Sequence, residues 1–132
     1  MKSTKIERRI IMIRDYIIGP SMYPYGCFDI RFAEKYGIEE AIVFNTLARE
    51  IMLTEQTDES RRGWGGVSGC MEDGGIFWVR VTEKFLFRGN SKLFSETKAK
   101  EIVKNLEDFG LLFVRASLTK GYFWIALGEE KE

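Results

Sequence analysis

Between Ser95 and Leu127 the chain runs from a helix-opening serine, through a stretch apolar on one side only, into two strand-length runs joined by a short turn. Few architectures accommodate that order in so few residues. Ser95 can cap a helix in which Ala99, Ile102, Val103, Leu106 and Phe109 line one face, and Gly110 can end it. Leu111 to Ala116 and Tyr122 to Leu127 then read as strands, separated by the turn-forming SLTKG.

The residues upstream supply further elements. Ile38, Ala41, Ile42, Leu47 and Ile51, with Phe44 and Ala48 beside them, recur at three- and four-residue steps, which predicts a helix from Ile38 to about Leu53. Glu39 and Glu40 fall in its first turn, where negative charge complements the helix dipole. Before it, Asp29 can cap a short helix over RFAEKYG that Gly37 closes. After it, residues 54–75 hold six glycines and no sustained period, and are expected to form a long loop. The Gly-Trp-Gly-Gly within them lacks the GxxxxGK[ST] pattern of a phosphate loop. Ile76 to Val79 reads as a strand, Thr82 can cap a brief helix over EKFLF, and Arg88-Gly89-Asn90 supplies a turn. At the N-terminus the isoleucine-rich residues 5–18, closed by Gly19-Pro20, read as a strand and SMYPYG as a turn.

Composition narrows what such a chain does. At 132 residues, 45% hydrophobic and 30% charged, it has the size and balance of one folded unit. It contains no histidine, which removes the usual general base at neutral pH, the commonest zinc ligand and every Ser-His-Asp or Cys-His arrangement. Cys27 and Cys70 form neither a CxxC pair nor a disulfide framework. The carboxylate pairs Glu39-Glu40 and Asp58-Glu59 are adjacent in sequence, and no other predicted element presents an acid across a cleft. A chain that is not an enzyme and needs no cofactor or metal is expected. Ile10 to Ile13 is the longest uncharged apolar run of the N-terminal stretch, against the roughly 20 residues of a membrane span, so a cytoplasmic location is expected.

Net charge is formally zero, yet it is segregated. Residues 28–60 carry three cations against eight carboxylates, and residues 76–127 carry nine against five. The second half could face a polyanion while the first faces elsewhere.

In order, the second half reads helix, strand, short helix, turn, capped helix and hairpin, which is what a winged helix requires. The segments YGIEEAIVFNTLAREI, FWVRVTEKFLF, FSETKAKEIVKNLEDFGLL and GYFWIAL resemble the winged-helix domains at the N-termini of phage replication initiators and of DnaD-type primosome proteins. The corresponding features are Gly37 to Ala41, Trp78, Ser95 with Thr97, Leu106 to Leu111, and Tyr122 to Trp124. The departures are the long glycine-rich stretch and the lack of a C-terminal domain, so only DNA binding is carried over. The resemblance implies a mainly α single domain with a small β component, a winged helix-turn-helix over residues 31–127. Residues 1–30 would form an N-terminal extension and 128–132 an acidic tail. It further implies sequence-specific binding of double-stranded DNA in replication initiation or regulation. A second expectation is a protein-interaction module, an adaptor or inhibitor on the same scaffold, that binds a replication or host protein through its acidic first helix and glycine-rich loop.

Helical geometry places Thr97, Lys100, Glu101, Lys104, Asn105 and Asp108 opposite the apolar stripe of the Ser95 helix. Thr97, Lys98, Lys100 and Glu101 lie toward its start and would read bases; Lys104 and Asn105 lie farther along, with Lys104 a phosphate contact. Glu101 could alternatively pair with Lys104 one turn on. Arg88 and Lys92 in the turn, and Arg115 and Lys120 on the hairpin, are candidates for backbone or minor-groove contacts. The aromatics Phe77, Trp78, Phe85, Phe87, Phe109, Phe113, Phe123 and Trp124 are read as core rather than as stacking platforms for a single strand. The isoleucine-rich N-terminal segment offers an apolar strand through which a homodimer could form.

Overall fold

A computed structural model describes residues 28–57, 67–88 and 93–130. The N-terminal strand and turn predicted for residues 5–26 lie outside them, as do Cys27 and Lys92.

Two helices open the described chain, α1 over Ile30–Tyr36 and α2 over Ile38–Thr57. Asp29 caps α1, its carboxylate accepting from the backbone N–H of Arg31 at 2.7 Å and of Phe32 at 3.3 Å. The side-chain hydrogen bond from Arg31 leads the causes that hold the Asp29 carboxyl below the usual carboxylate range. Gly37 joins the helices at φ 112°, a conformation that L side chains rarely adopt, donating to the Ala33 carbonyl and accepting from Ala41 N–H. One residue thus closes one helix and opens the next. Asp29→Ala is expected to cost about 1 kcal/mol at neutral pH. Because the folded-state carboxyl titrates below that of the unfolded chain, the cap's contribution is full above the usual carboxylate range. It is lost as pH falls through the folded value, so the difference between variant and parent, measured by urea denaturation, should vanish in acid.

Four strands follow in one antiparallel sheet: β1 over Val67–Asp73, β2 over Ile76–Thr82, β3 over Leu112–Ala116 and β4 over Tyr122–Leu127. Their spatial order is β1-β2-β4-β3. Two more helices, α3 over Glu83–Arg88 and α4 over Glu96–Asp108, lie between β2 and β3 in sequence. About half of the described residues are helical.

The long loop expected at 54–75 is corrected at both ends. The second helix continues past Leu53 to Thr57, where Thr54 is buried with its hydroxyl donating to the Glu50 carbonyl. Val67–Asp73 is an edge strand that forms a hairpin with β2 through Gly74-Gly75, both at positive φ, as a two-residue hairpin turn demands. The strand escaped the pattern because VSGCMED has one β-branched apolar residue and an internal glycine, and its order comes from the β2 ladder.

One face of the sheet meets the helices. Val67, Val79, Val81, Leu112 and Ile125 share a single core with Phe32 of α1, Phe44, Leu47, Ala48 and Ile51 of α2, Phe85 and Leu86 of α3, and Ile102, Val103 and Leu106 of α4. Thr82 caps α3 by accepting from Phe85 N–H at 3.1 Å, as its position suggested. Residues 128–130, the described part of the stretch read as an acidic tail, pack against the domain. Gly128 donates to the Leu111 carbonyl and Glu129 to the Gly110 carbonyl, and buried Glu130 accepts from Tyr36 Oη at 2.6 Å and Lys35 Nζ at 2.8 Å on α1.

Candidate nucleic-acid interface

The helix α4 is bounded by strong local signals at both ends. Ser95, in extended conformation, accepts from Lys98 N–H at 3.1 Å, which makes its side chain a helix cap. At the other end Gly110 N–H bonds the Glu107 carbonyl and Leu111 N–H bonds the Leu106 carbonyl, with Gly110 at φ 78°. These two bonds form a Schellman closure, which ends the helix sharply and turns the chain into β3. Ala99, Ile102, Val103 and Leu106 are buried, so α4 is locked in rotation and its opposite face is presented outward.

On that outward face Thr97, Lys100, Glu101, Lys104 and Asp108 are exposed. Neither Lys100 nor Lys104 forms an ion pair within 4 Å among the described residues. Lys100 rests its ammonium 5.4 Å from the ring centre of Phe87, so the junction of α3 and α4 carries a cation held over an aromatic face. Partial burial raises the Glu107 carboxyl, against the pull of Lys104 and with the push of Asp108.

Two residues predicted to contact DNA are engaged elsewhere. Asn105 donates from Nδ2 to Glu40 Oε2 of α2 at 3.0 Å and is half-buried, because the helix contact between α2 and α4 extends to the edge of the apolar stripe. Lys98 is bound on two sides, by Glu39 of α2 at 3.1 Å and by Glu101 at 3.4 Å. The Glu39 bond heads the causes that raise its pKa. Glu101 therefore pairs backward with Lys98 and not forward with Lys104. The acidic first turn of α2, expected to complement its own dipole, neutralises one cation of the neighbouring helix, a relation that no pattern within either segment reveals.

Of the remaining candidates, Arg88 ends α3 and Lys120 is exposed in the turn between β3 and β4. The turn is closed by Ser117 N–H to the Tyr122 carbonyl and Tyr122 N–H to the Thr119 carbonyl, with Gly121 at φ 86°. Arg115 is not at the tip. It points from β3 to the side of the sheet away from the helices, its guanidinium 4.4 Å from the Trp78 ring centre and 3.3 Å from Asp73.

Among the described residues no group of histidine, cysteine, aspartate or glutamate could hold a metal ion, and no helix is long and apolar enough to cross a membrane. An open cavity of about 420 Å³ lies between the end of α2, the Gly74-Gly75 turn and the end of β4, floored by Ile51, Phe77 and Leu127 and rimmed by Glu55, Glu72 and Glu129. Comparisons with protein-family profiles, with curated proteins and with solved structures found no match, so what this surface does must be argued from its own chemistry.

Proposed function

We propose that the chain binds double-stranded DNA as a winged helix-turn-helix, with α4 in the major groove and the β3–β4 hairpin as the wing. The observation that carries this reading is the outward face of α4. It is a capped helix, anchored by four buried residues, and it presents Thr97, Lys100 and Lys104 with both lysines outside any ion pair among the described residues. The order β2-α3-α4-β3-β4, with β4 seated between β2 and β3, supports it, because that arrangement puts a hairpin directly beside the exposed helix. Lys120 at the hairpin turn adds a cation at the height of a neighbouring backbone. Replication initiation or regulation in a phage or prophage is the role that the resemblance suggests for such a domain.

Geometry refines the division of labour. Thr97 in the first turn offers a methyl to a thymine methyl and a hydroxyl to a base edge, whereas Lys104, two turns on, reaches phosphate. Lys98, held by Glu39 and Glu101, contributes less than its charge suggests. Lys104→Ala should weaken all duplexes alike and lower the salt slope of binding by about one unit. Thr97→Ala should relax preference at one base position at a cost of about 1 kcal/mol and leave the slope intact. A fluorescence titration of both variants against random and selected duplexes across a salt series reads both effects. Parent-like binding by both variants, or no binding by the parent at low salt, would sink the proposal.

The acid-rimmed cavity favours a second reading, in which the scaffold docks a basic, partly apolar peptide of a partner protein. That reading gains if the parent ignores duplex DNA at low salt.

A further inference from the structure

The face of the sheet turned away from the helices carries a pattern that neither the core nor α4 uses. Register places Gly69, Arg80, Trp124 and Arg115 side by side across all four strands. Beyond that row Met71 pairs with Trp78 and Ala126 with Phe113, and on its other side Thr82 pairs with Tyr122. Alternation assigns all of them to the side opposite Val79, Val81 and Ile125. Trp78 and Ala126 are buried on this side, Trp78 beneath Arg115, so the side chains open to a ligand are Arg80, Tyr122, Trp124, Arg115 and Phe113.

Cations and rings are interleaved here at stacking distance. The Arg80 guanidinium lies 5.0 Å from the Tyr122 ring centre and 5.9 Å from that of Trp124, and Arg115 lies over Trp78 while its Nη1 pairs with the exposed Asp73 at 3.3 Å, a carboxylate that a bound phosphate would have to displace. Arg80 is held in place by bonds from Nε to Ser68 Oγ at 3.0 Å and from Nη2 to the Ser68 carbonyl at 3.4 Å. Phe113, 37% exposed, tilts against Trp78 at 6.4 Å. Beside Arg80 the row ends at Gly69, where an added Cβ would meet nothing within 4 Å, so the edge of the platform is open.

We propose that this face binds single-stranded nucleic acid. A flat guanidinium already stacked on an aromatic ring presents its other side to a base, while its remaining N–H groups can donate to the phosphate that follows. Arginine alternating with tryptophan, tyrosine and phenylalanine supplies the two things an unpaired strand offers, exposed π-faces and a negative backbone. A duplex has its bases stacked inward and cannot use such a surface. The four-strand width is roughly 14 Å at the usual strand spacing, room for a few nucleotides. The site is separate from α4, which packs on the opposite side of the sheet, and does not depend on the duplex reading.

The test uses the full chain and a fluorescein-labelled oligothymidylate of about 12 nucleotides, followed by anisotropy and by quenching of tryptophan emission. The parent should bind with quenching. Phe113→Ala and Arg115→Ala, both at well-exposed side chains, should each weaken binding about tenfold while far-UV circular dichroism stays unchanged. Trp124→Ala should abolish it if the variant folds. Lys104→Ala should stay within about twofold of the parent. No binding at low salt overturns the proposal, and so does parent-like binding by both Phe113→Ala and Arg115→Ala. A large loss in Lys104→Ala would place the strand on α4 and also overturn it. Duplex titrations of the same proteins separate the two readings. Duplex binding without oligothymidylate binding removes this site alone, and the reverse removes the duplex reading alone.

Discussion

Phe44→Ala is expected to lower the stability of the fold by about 3–5 kcal/mol, the largest loss from any single truncation considered for this chain. Phe44 is 1% exposed on α2 and stacks on Phe32 of α1 with ring centres 4.6 Å apart and planes at 17°. Phe32 in turn tilts against Tyr36, and Tyr36 against Phe109 at the end of α4. Truncation would remove the apolar area of a full ring and leave a void walled by Phe32 and the core. That core is close-packed and can only partly collapse. Against a typical domain stability of roughly 5–15 kcal/mol this loss is large, and the outward face of α4 would suffer only through the folded fraction. Urea denaturation should show a lower midpoint with an unchanged slope. Phe109→Ala, at a ring 40% exposed, should cost much less. A loss below about 1 kcal/mol for Phe44→Ala would mean that the aromatic stack between α1 and α2 is not formed as described.

Gly128→Ala should cost roughly 1–3 kcal/mol by overpacking alone, a large loss for a single added methyl. A Cβ at this position would collide with the Gly110 carbonyl oxygen and crowd the Leu111 backbone. Those atoms cannot step aside, because they belong to the Schellman closure of α4 and also accept the hydrogen bonds from Gly128 and Glu129. Relief would have to come from residues 128–130, which would pull the Glu130 carboxylate away from Lys35 and Tyr36. Gly69→Ala is the matched control, since its Cβ enters open space and should change stability by less than about 0.5 kcal/mol. Thermal melts of the pair would measure the difference. Equal melting temperatures would show that the C-terminal strap does not press on the end of α4.

Much of this arrangement could be read locally. The caps Asp29, Thr82 and Ser95, the interruption at Gly37, the end of α4 at Gly110 and the β3–β4 hairpin are all where short-range chemistry put them. Each depends on bonds that span only a few residues, or on a turn that needs glycine. The strand β1, the last turn of α2 and the packed C-terminus were not legible. VSGCMED is ordered by its ladder to β2 and Glu130 by contacts 94 and 95 residues away, and neither leaves a local trace.

The candidate surface divides along the same line. Periodicity picked out Ala99, Ile102, Val103 and Leu106 as buried and Thr97, Lys100 and Lys104 as turned outward, because a helix repeats at a fixed angle and its apolar stripe must face the core, but it misplaced Phe109, which is exposed, and Asn105, which is half-buried. Only the tertiary structure decided which charges on that helix are free for a ligand. Glu39 and Glu40 come within reach of Lys98 and Asn105 through the packing of α2 on α4, and Arg80, Trp124 and Arg115 become neighbours through strand register. Pairings between distant segments follow from how two faces dock, and docking is set by the volume and shape of the whole core, which no single segment encodes.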